Sequence, residues 1–362
     1  MKCRIYVFNE SYFQIKSNLA IINMFEIQQY FLTSSVLWFS FFAVISCLLS
    51  VFSCFTIHLT FIGLFICILA YLKLPSPSPQ LVKKILGDLS NEAQNKLTGE
   101  IVAHRAACLD APENSVEAVQ KAAANGVKWI EFDISFTKDK VAVVFHDDTV
   151  DRVTDGRGLI TDLTFSELSA LNIFNPAGGP TAKIPKVEKF VGECLRHNIK
   201  MIIDLKTYQE TEKTVDLLMS LYQQFPTLKE NSIVTSFFPN LTYQLRNRDS
   251  NIVTAISTRP KFLSCATWEG TKKSMRPRFS GANQVMATLF DFVFEFLLEK
   301  VIWWVLGLSC ILVHRNVITH EYVDRWNTRG LTVMAWTVNC PVEKKFYSEA
   351  HKVPVLSDTL KN

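Results

Sequence analysis

Glu131 and Asp133 stand two apart in the β-rich run Ile130–Ile134. Alternate residues of a strand point to one side, so the two carboxylates share a face. Buried side by side they would repel until one took up a proton. A hard divalent cation, which takes oxygen ligands, removes that conflict. An isolated pair of this kind is commonly two solvated acids, but this pair has company. His104 and Arg105 close a short apolar run before it, His146 and Asp147 close one after it, and Asp204 and Lys206 close a fourth. Carboxylates suit Mg²⁺ or Ca²⁺ better than zinc. A cation together with Arg105 and Lys206 would neutralise a phosphate and the charge that grows during its transfer. Two histidines titrating near neutrality supply one general base and one general acid. The combination reads as hydrolysis of a phosphate ester. Asp204-x-Lys206 reads either as one metal ligand beside one phosphate-facing cation or as a salt-bridged strand edge.

Such residues need a frame. From Glu100 onward, β-rich runs alternate with amphipathic segments. The runs are Glu100–His104, Val127–Asp133, Val141–His146, Lys200–Leu205, Ser232–Ser236, Ile252–Ser257, Leu331–Val338 and Pro354–Asp358. The segments are Ser115–Asn125, Pro185–His197, Glu210–Phe225, Asn240–Arg248, Glu321–Arg329 and Pro341–His351. Helical spacing is visible in Val187, Phe190, Val191, Cys194 and Leu195. Eight alternating units predict an α/β fold, a (β/α)₈ TIM barrel. The second unit lacks a helix, and Thr137–Asp139 reads as a hairpin turn. A barrel places chemistry at the C-terminal ends of its strands. Those ends carry His104-Arg105, Glu131 and Asp133, His146-Asp147, Asp204-x-Lys206, Trp336–Asn339 and Ser357-Asp358.

The 362 residues suffice for one large barrel, here 100–362, and an appendage. A net charge of +4 is too weak to predict a nucleic-acid partner. The nine cysteines form no C-x-x-C pair, which argues against a zinc ribbon or a thioredoxin-like site. After an N-terminal segment (1–30), residues 31–72 contain no Asp, Glu, Lys or Arg. A single span needs roughly 20 apolar residues, so 31–73 predicts a transmembrane anchor of one or two helices. Pro75, Pro77 and Pro79 then open a stiff linker (74–99), with a short helix over Leu81–Leu97. A second apolar stretch, Gln284–Val313, precedes the seventh run and contains Trp303-Trp304, yet also Asp291, Glu295, Glu299 and Lys300. Two strands follow it, so it crosses a bilayer an even number of times or not at all. It reads as a membrane-associated helical hairpin with the tryptophans at headgroup depth, or as a soluble cover on the barrel. The loop before it carries Arg259, Lys261, Lys272, Lys273, Arg276 and Arg278 against Glu269, a composition suited to anionic headgroups. N-x-S/T triplets at Asn9 and Asn240 predict a glycoprotein. The chain is expected in the plasma membrane or an endomembrane, its catalytic domain lumenal or extracellular.

Ala103-His104-Arg105, Ala111–Asn114, Glu131-Phe132-Asp133, Phe145–Arg152, Thr154–Gly158 and Asp204-Leu205-Lys206, taken as a set, resemble the glycerophosphodiester phosphodiesterase family. The apolar flanks, the insertion and Trp336–Asn339 are similar to its membrane-bound animal branch. The resemblance implies the phosphodiesterase version of the barrel. It implies a divalent cation on Glu131, Asp133 and Asp204, Mg²⁺ ahead of Ca²⁺. It makes His104 and His146 the acid and base, puts Arg105 and Lys206 on the substrate phosphate, and has Glu113 support the site. Substrates would be glycerophosphoinositol, glycerophospho-N-acylethanolamine or a lysophospholipid. Products would be an alcohol and glycerol 3-phosphate or a related phosphomonoester. One departure stands out. The family usually has glycine after His-Arg, where this chain has Ala106 and Ala107. Glycine there permits positive φ and close backbone approach; alanine is expected to add a methyl group near the phosphate. Two other readings remain at this stage. One is a catalytically weak barrel that binds phosphoinositol or lysolipid headgroups as a scaffold. The other is a lyase that forms a cyclic phosphate.

Overall fold

The computed structural model describes residues 41–42, 44–46, 55–87, 97, 99–207, 210–270 and 275–361. The expected segment 1–30, Asn9, and residues 31–40 of the first apolar span lie outside the described residues. So do Lys272 and Lys273. The chain divides into two compact units.

The first unit includes α1 (Phe55–Leu72), which exposes Phe61, Ile62, Leu64 and Ile66. Its 18 residues rise about 27 Å, short of a hydrocarbon core of ~30 Å. Among the described residues no helix is long and apolar enough to cross a membrane.

Of the described residues, the barrel unit holds 74–87, 97, 99–207, 210–260, 269–270 and 299–361. Helix α2 (Pro79–Leu86) starts where Ser78 accepts a hydrogen bond from the Leu81 amide at 3.2 Å. Eight parallel strands close on themselves: β1 (Ile101–Ala103), β2 (Trp129–Phe136), β4 (Lys200–Leu205), β5 (Ser232–Ser236), β6 (Thr254–Thr258), β9 (Cys310–His314), β10 (Thr332–Trp336) and β11 (Val355–Ser357). Closure is made by β1, which pairs with β11 through Ile101 and Val355 and with β2 through Val102 and Trp129.

Two expectations are corrected here. The run Val141–His146 is not a barrel strand. Its core, β3 (Ala142–Val144), turns back antiparallel on β2, Ile134 opposite Val144, as the Thr137–Asp139 turn requires. The missing barrel strand is β9, which overlaps the C-terminal end of the expected insertion Gln284–Val313. All five of its residues are buried. A strand covered on both faces shows no period-2 alternation and cannot be told from buried helix by pattern. The insertion therefore ends before Cys310, ahead of the sixth barrel strand.

Strand faces explain the layers. Val102, Trp129, Ile202, Ile233, Ala255, Leu312, Met334 and Leu356 fill the interior, joined by Ile85 and Leu86 of α2 and by Leu97. Burying each of the Val, Ile, Leu and Met side chains stabilises by roughly 1.5–3 kcal/mol. Glu131 and Asp133 follow Trp129 on the same face of β2, and Asp204 follows Ile202 on β4, so the acids form the layer above this apolar floor. The alternate residues Ile130, Phe132 and Ile134 face the helices. There they meet α3 (Val116–Ala124) and α4 (Val187–Arg196), with the Phe132 and Phe190 rings 4.7 Å apart. Helices α5 (Thr211–Gln224) and α6 (Pro239–Arg248) follow the same plan.

The first unit also contains the hairpin β7 (Cys265–Thr267) and β8 (Arg276–Pro277), and helix α7 (Gly281–Leu297). The charges inside this apolar helix are accounted for. Asp291, buried, accepts from the amides of Leu263 (2.7 Å) and Ser264 (2.8 Å), and Glu295 accepts from that of Lys261 (3.1 Å). Val285, Leu289, Phe292 and Phe296, at helical spacing, are exposed, Phe292 by 74%. No helical hairpin forms over Gln284–Val313: α7 is followed by a π turn at Leu298–Ile302, a short helix at Trp303–Leu306 and then β9. Trp303 packs edge-on against Trp326 of α8 (His320–Asn327), with the Arg329 guanidinium 5.3 Å above it. That packing ties its ring to the barrel unit. A last helical segment opens with α9 (Pro341–Lys345).

Candidate active site

The C-terminal ends of β1, β2, β4, β10 and β11 and the loops after β1 and β3 bring every expected site residue together. Glu131, Asp133 and Asp204 are 3%, 0% and 5% exposed, with carboxylate oxygens within 4.8 Å of one another. Lys206 lies on this cluster, its Nζ 2.5 Å from Asp204 Oδ2 and 3.2 Å from Asp133 Oδ1. Asn114, held at φ 55°, donates to Asp133 Oδ2 at 3.0 Å, and the Arg105 amide donates to Glu131 Oε2 at 2.9 Å.

The donor set fits a divalent cation. Asp133 Oδ1 and Asp204 Oδ1 are buried and accept no hydrogen bond; Lys206 is near Asp133 Oδ1 as a charge but not aligned to donate. Desolvation and the neighbouring Asp133 push Glu131 above the usual carboxylate range, and desolvation leads the rise of Asp204 despite Lys206. Asp133, although desolvated, is held low by Lys206, His146 and Arg105. Without a cation, then, the three acids do not all ionise readily.

Each histidine is gripped at Nδ1 by an aspartate. His104 Nδ1 is 2.5 Å from Asp358 Oδ1, and its Nε2 is 3.7 Å from Glu131 Oε2. Asp358 is oriented in turn by Asn339, whose Nδ2 donates to Oδ2 at 2.7 Å and whose Oδ1 accepts the Asp358 amide at 2.8 Å. His146 Nδ1 is 2.6 Å from Asp147 Oδ1, and its Nε2 is 2.9 Å from Arg105 NH2. Burial lowers the His104 imidazole, but Glu131 and Asp358 outweigh it and hold His104 above its ordinary value. Burial and the adjacent Arg105 hold His146 below.

Glu113 accepts from Arg105 NH1 at 3.2 Å and from both terminal nitrogens of Arg152, at 2.9 and 2.7 Å. Sequence reasoning chose Glu113 and omitted Arg152, Asn114, Asn339 and the orienting roles of Asp147 and Asp358. Their signal was the polar ending of the runs and the motif Phe145–Arg152.

The alanines correct another expectation. Arg105, Ala106 and Ala107 all adopt positive φ, at 49°, 59° and 63°. Ala106 and Ala107 are 0% and 2% exposed and belong to the core between strands and helices. Their methyl groups are buried in that core, not presented to the phosphate. The conformation that favours glycine is adopted by alanine, at about 1–2 kcal/mol per residue, offset in part by burying each methyl, worth about 0.8 kcal/mol.

The sequence profile of the Glycerophosphoryl diester phosphodiesterase family matches residues 104–361. Glycerophosphodiester phosphodiesterase 1 of Bos taurus is 40% identical over 258 residues, covering 69% of this chain and 74% of the bovine protein. The Homo sapiens protein of the same name is 36% identical over the same shares. The structure of an Oleispira antarctica phosphodiesterase in complex with the product sn-glycerol-3-phosphate superposes with a TM-score of 0.56. It covers 72% of this chain and 92% of that one at 21% identity, a likeness of fold.

Proposed function

This chain belongs to the glycerophosphoryl diester phosphodiesterase family, and we propose that it hydrolyses glycerophosphodiesters by metal-dependent acid–base catalysis at a membrane. That the enzyme is a glycerophosphodiester phosphodiesterase follows from the family and its curated relatives. The finer reading is carried by one observation: both histidines are tied at Nδ1 to an aspartate, which leaves each Nε2 turned to the carboxylate cluster or to Arg105 beside it.

Glu131, Asp133 and Asp204 are the residues that would hold Mg²⁺ or Ca²⁺, and such an ion supplies charge stabilisation to phosphoryl oxygens. His146, kept neutral, takes the proton of the attacking water at Nε2 as the new P–O bond forms. His104, kept protonated between Glu131 and Asp358, gives a proton to the departing alkoxide as the old P–O bond breaks. Arg105 and Lys206 face the phosphate charge. Substrates of the glycerophosphoinositol, glycerophospho-N-acylethanolamine or lysophospholipid type suit an enzyme whose apolar segments meet lipid. The exposed stripe Val285, Leu289, Phe292 and Phe296 on α7, and the apolar surface of α1, support membrane association. The partly exposed Asn240 at the start of α6 supports a lumenal or extracellular catalytic unit at the plasma membrane or an endomembrane.

The test is product release by detergent-purified protein from glycerophosphoinositol and from lysophospholipid, with Mg²⁺ or EDTA, beside Glu131→Ala. Release abolished by EDTA and by the substitution is expected. Full activity in EDTA would sink the metal reading.

A further inference from the structure

Five side chains beside the carboxylate cluster close into a ring. His146 Nδ1 meets Asp147 Oδ1 at 2.6 Å, and Asp147 Oδ2 accepts from Arg152 Nε at 2.5 Å. Arg152 NH1 and NH2 donate to the two oxygens of Glu113 at 2.9 and 2.7 Å. Glu113 Oε1 also accepts from Arg105 NH1 at 3.2 Å, and Arg105 NH2 returns to His146 Nε2 at 2.9 Å. Carboxylates and guanidiniums alternate around one imidazole, so each anion lies between two cationic or hydrogen-bonding neighbours.

The ring sets a problem for the proposed reaction. Arg105 NH2 donates to the nitrogen that has to accept the proton of water, so Arg105 must leave His146 before His146 can act as base. Its other terminal nitrogen stays on Glu113, which makes Glu113 the pivot of that movement. A pivot works only if it is itself fixed. Arg152 fixes it with a two-pronged fork, and its remaining Nε holds the aspartate that orients His146. The Glu113 side chain is 7% exposed and that of Arg152 37%, so Arg152 also closes the ring toward solvent.

We propose that Arg152 is a positioning residue: it locks the Glu113 pivot on which Arg105 passes from His146 Nε2 to the substrate phosphate, and keeps the His146 ring aimed meanwhile. Arg152 itself does not touch the reacting atoms. The inference rests on His146 being the general base. Planar bidentate geometry is what the role demands, and an ammonium does not reproduce it.

The experiment measures kcat, KM and Tm with Mg²⁺ and glycerophosphoinositol for the wild type, Arg152→Lys, Arg152→Ala, Glu113→Gln and the Arg152→Ala/Glu113→Gln double variant. Misplacement of a catalytic group by about 1 Å costs roughly 100-fold. Arg152→Ala and Arg152→Lys are each expected to lower kcat by about that factor, with KM little changed and Tm close to wild type, since a part-exposed ion pair contributes little stability. The double variant is expected to be no slower than the slower single, because both break one device. Wild-type kcat in Arg152→Lys would overturn the proposal by showing that charge alone suffices. Multiplying losses in the double variant, or a raised KM at unchanged kcat, would overturn it as well. His146→Ala separates the two levels. If that variant stays active, the base assignment fails and this proposal with it. If it is inactive while Arg152→Ala keeps wild-type kcat, only the positioning role fails.

Discussion

On the His104 side of the site the orienting carboxylate is Asp358, 254 residues away; on the His146 side it is Asp147, the next residue. Asp358 arrives on the loop after β11, is held by Asn339 from the loop after β10, and reaches a histidine that follows β1. Its correctness depends on the barrel closing in register. Asp147 belongs instead to a local network drawn from residues 105–152, built of alternating charges. The contrast matters for how each half fails. One half has a single carboxylate gripping Nδ1, with Glu131 and Arg105 as further charges near His104. The other half has several interlocked ion pairs, so the hold on its imidazole is shared among Asp147, Arg152 and Glu113.

The sharpest test of that contrast is Asp358→Asn against Asp147→Asn. General acid catalysis contributes on the order of 100- to 10,000-fold, and Asp358→Asn is expected to remove most of it. Asp147→Asn should cost less, about 100-fold or below. Steady-state kinetics on both decides the matter; an Asp147 variant slower than the Asp358 variant would break the comparison.

The pH profile separates the halves next. With His146 as base and His104 as acid, as proposed, activity needs His146 neutral and His104 protonated. kcat/KM should therefore be bell-shaped, with its acid limb set by His146 and its alkaline limb by His104. Both aspartates raise their own histidine. Asp358→Asn should thus draw the alkaline limb to lower pH, and Asp147→Asn should draw the acid limb to lower pH. The substitutions move different limbs in the same direction. A shift of both limbs by either variant would show that the halves are not separately held.

The smallest expected effect concerns Ala106 in the loop after β1. Ala106→Gly relieves about 1–2 kcal/mol of positive-φ strain but loses a buried methyl worth about 0.8 kcal/mol. It also adds about 0.5–1 kcal/mol of chain entropy to be lost on folding. The terms nearly cancel. A Tm within a few degrees of wild type and unchanged turnover are expected from thermal denaturation and kinetics. A large gain in rate would show that the methyl reaches the substrate after all.

Much of the frame could be read from the chain alone. Lys200–Leu205 and Ser232–Ser236 form strands with the expected bounds, because each is a compact β-rich run. The run Cys310–His314 was hidden because it is apolar on both faces and adjoins an apolar helix, so no change of period marks where the helix ends. At the site, His104, Glu131, Asp133, His146 and Asp204 were legible as polar residues ending apolar runs. Which aspartate grips which histidine was not, because Asp358 and His104 are neighbours only through strand pairing. The Arg152–Glu113 fork was invisible for a related reason: its partners lie on two loops whose spacing carries no period.

The closure of β1 on β11 has a consequence for the life of the protein. A ribosome makes β1 first and β11 last of the eight barrel strands, and pairings so distant in sequence form slowly. A nascent chain halted after β10 would already carry Glu131, Asp133, Asp204 and His146, while His104 waited for Asp358. Such a chain has the three carboxylates but lacks the partner of His104 Nδ1. Asp358 is thus supplied only by a chain translated through its last barrel strand, and only a barrel closed in register brings it to His104.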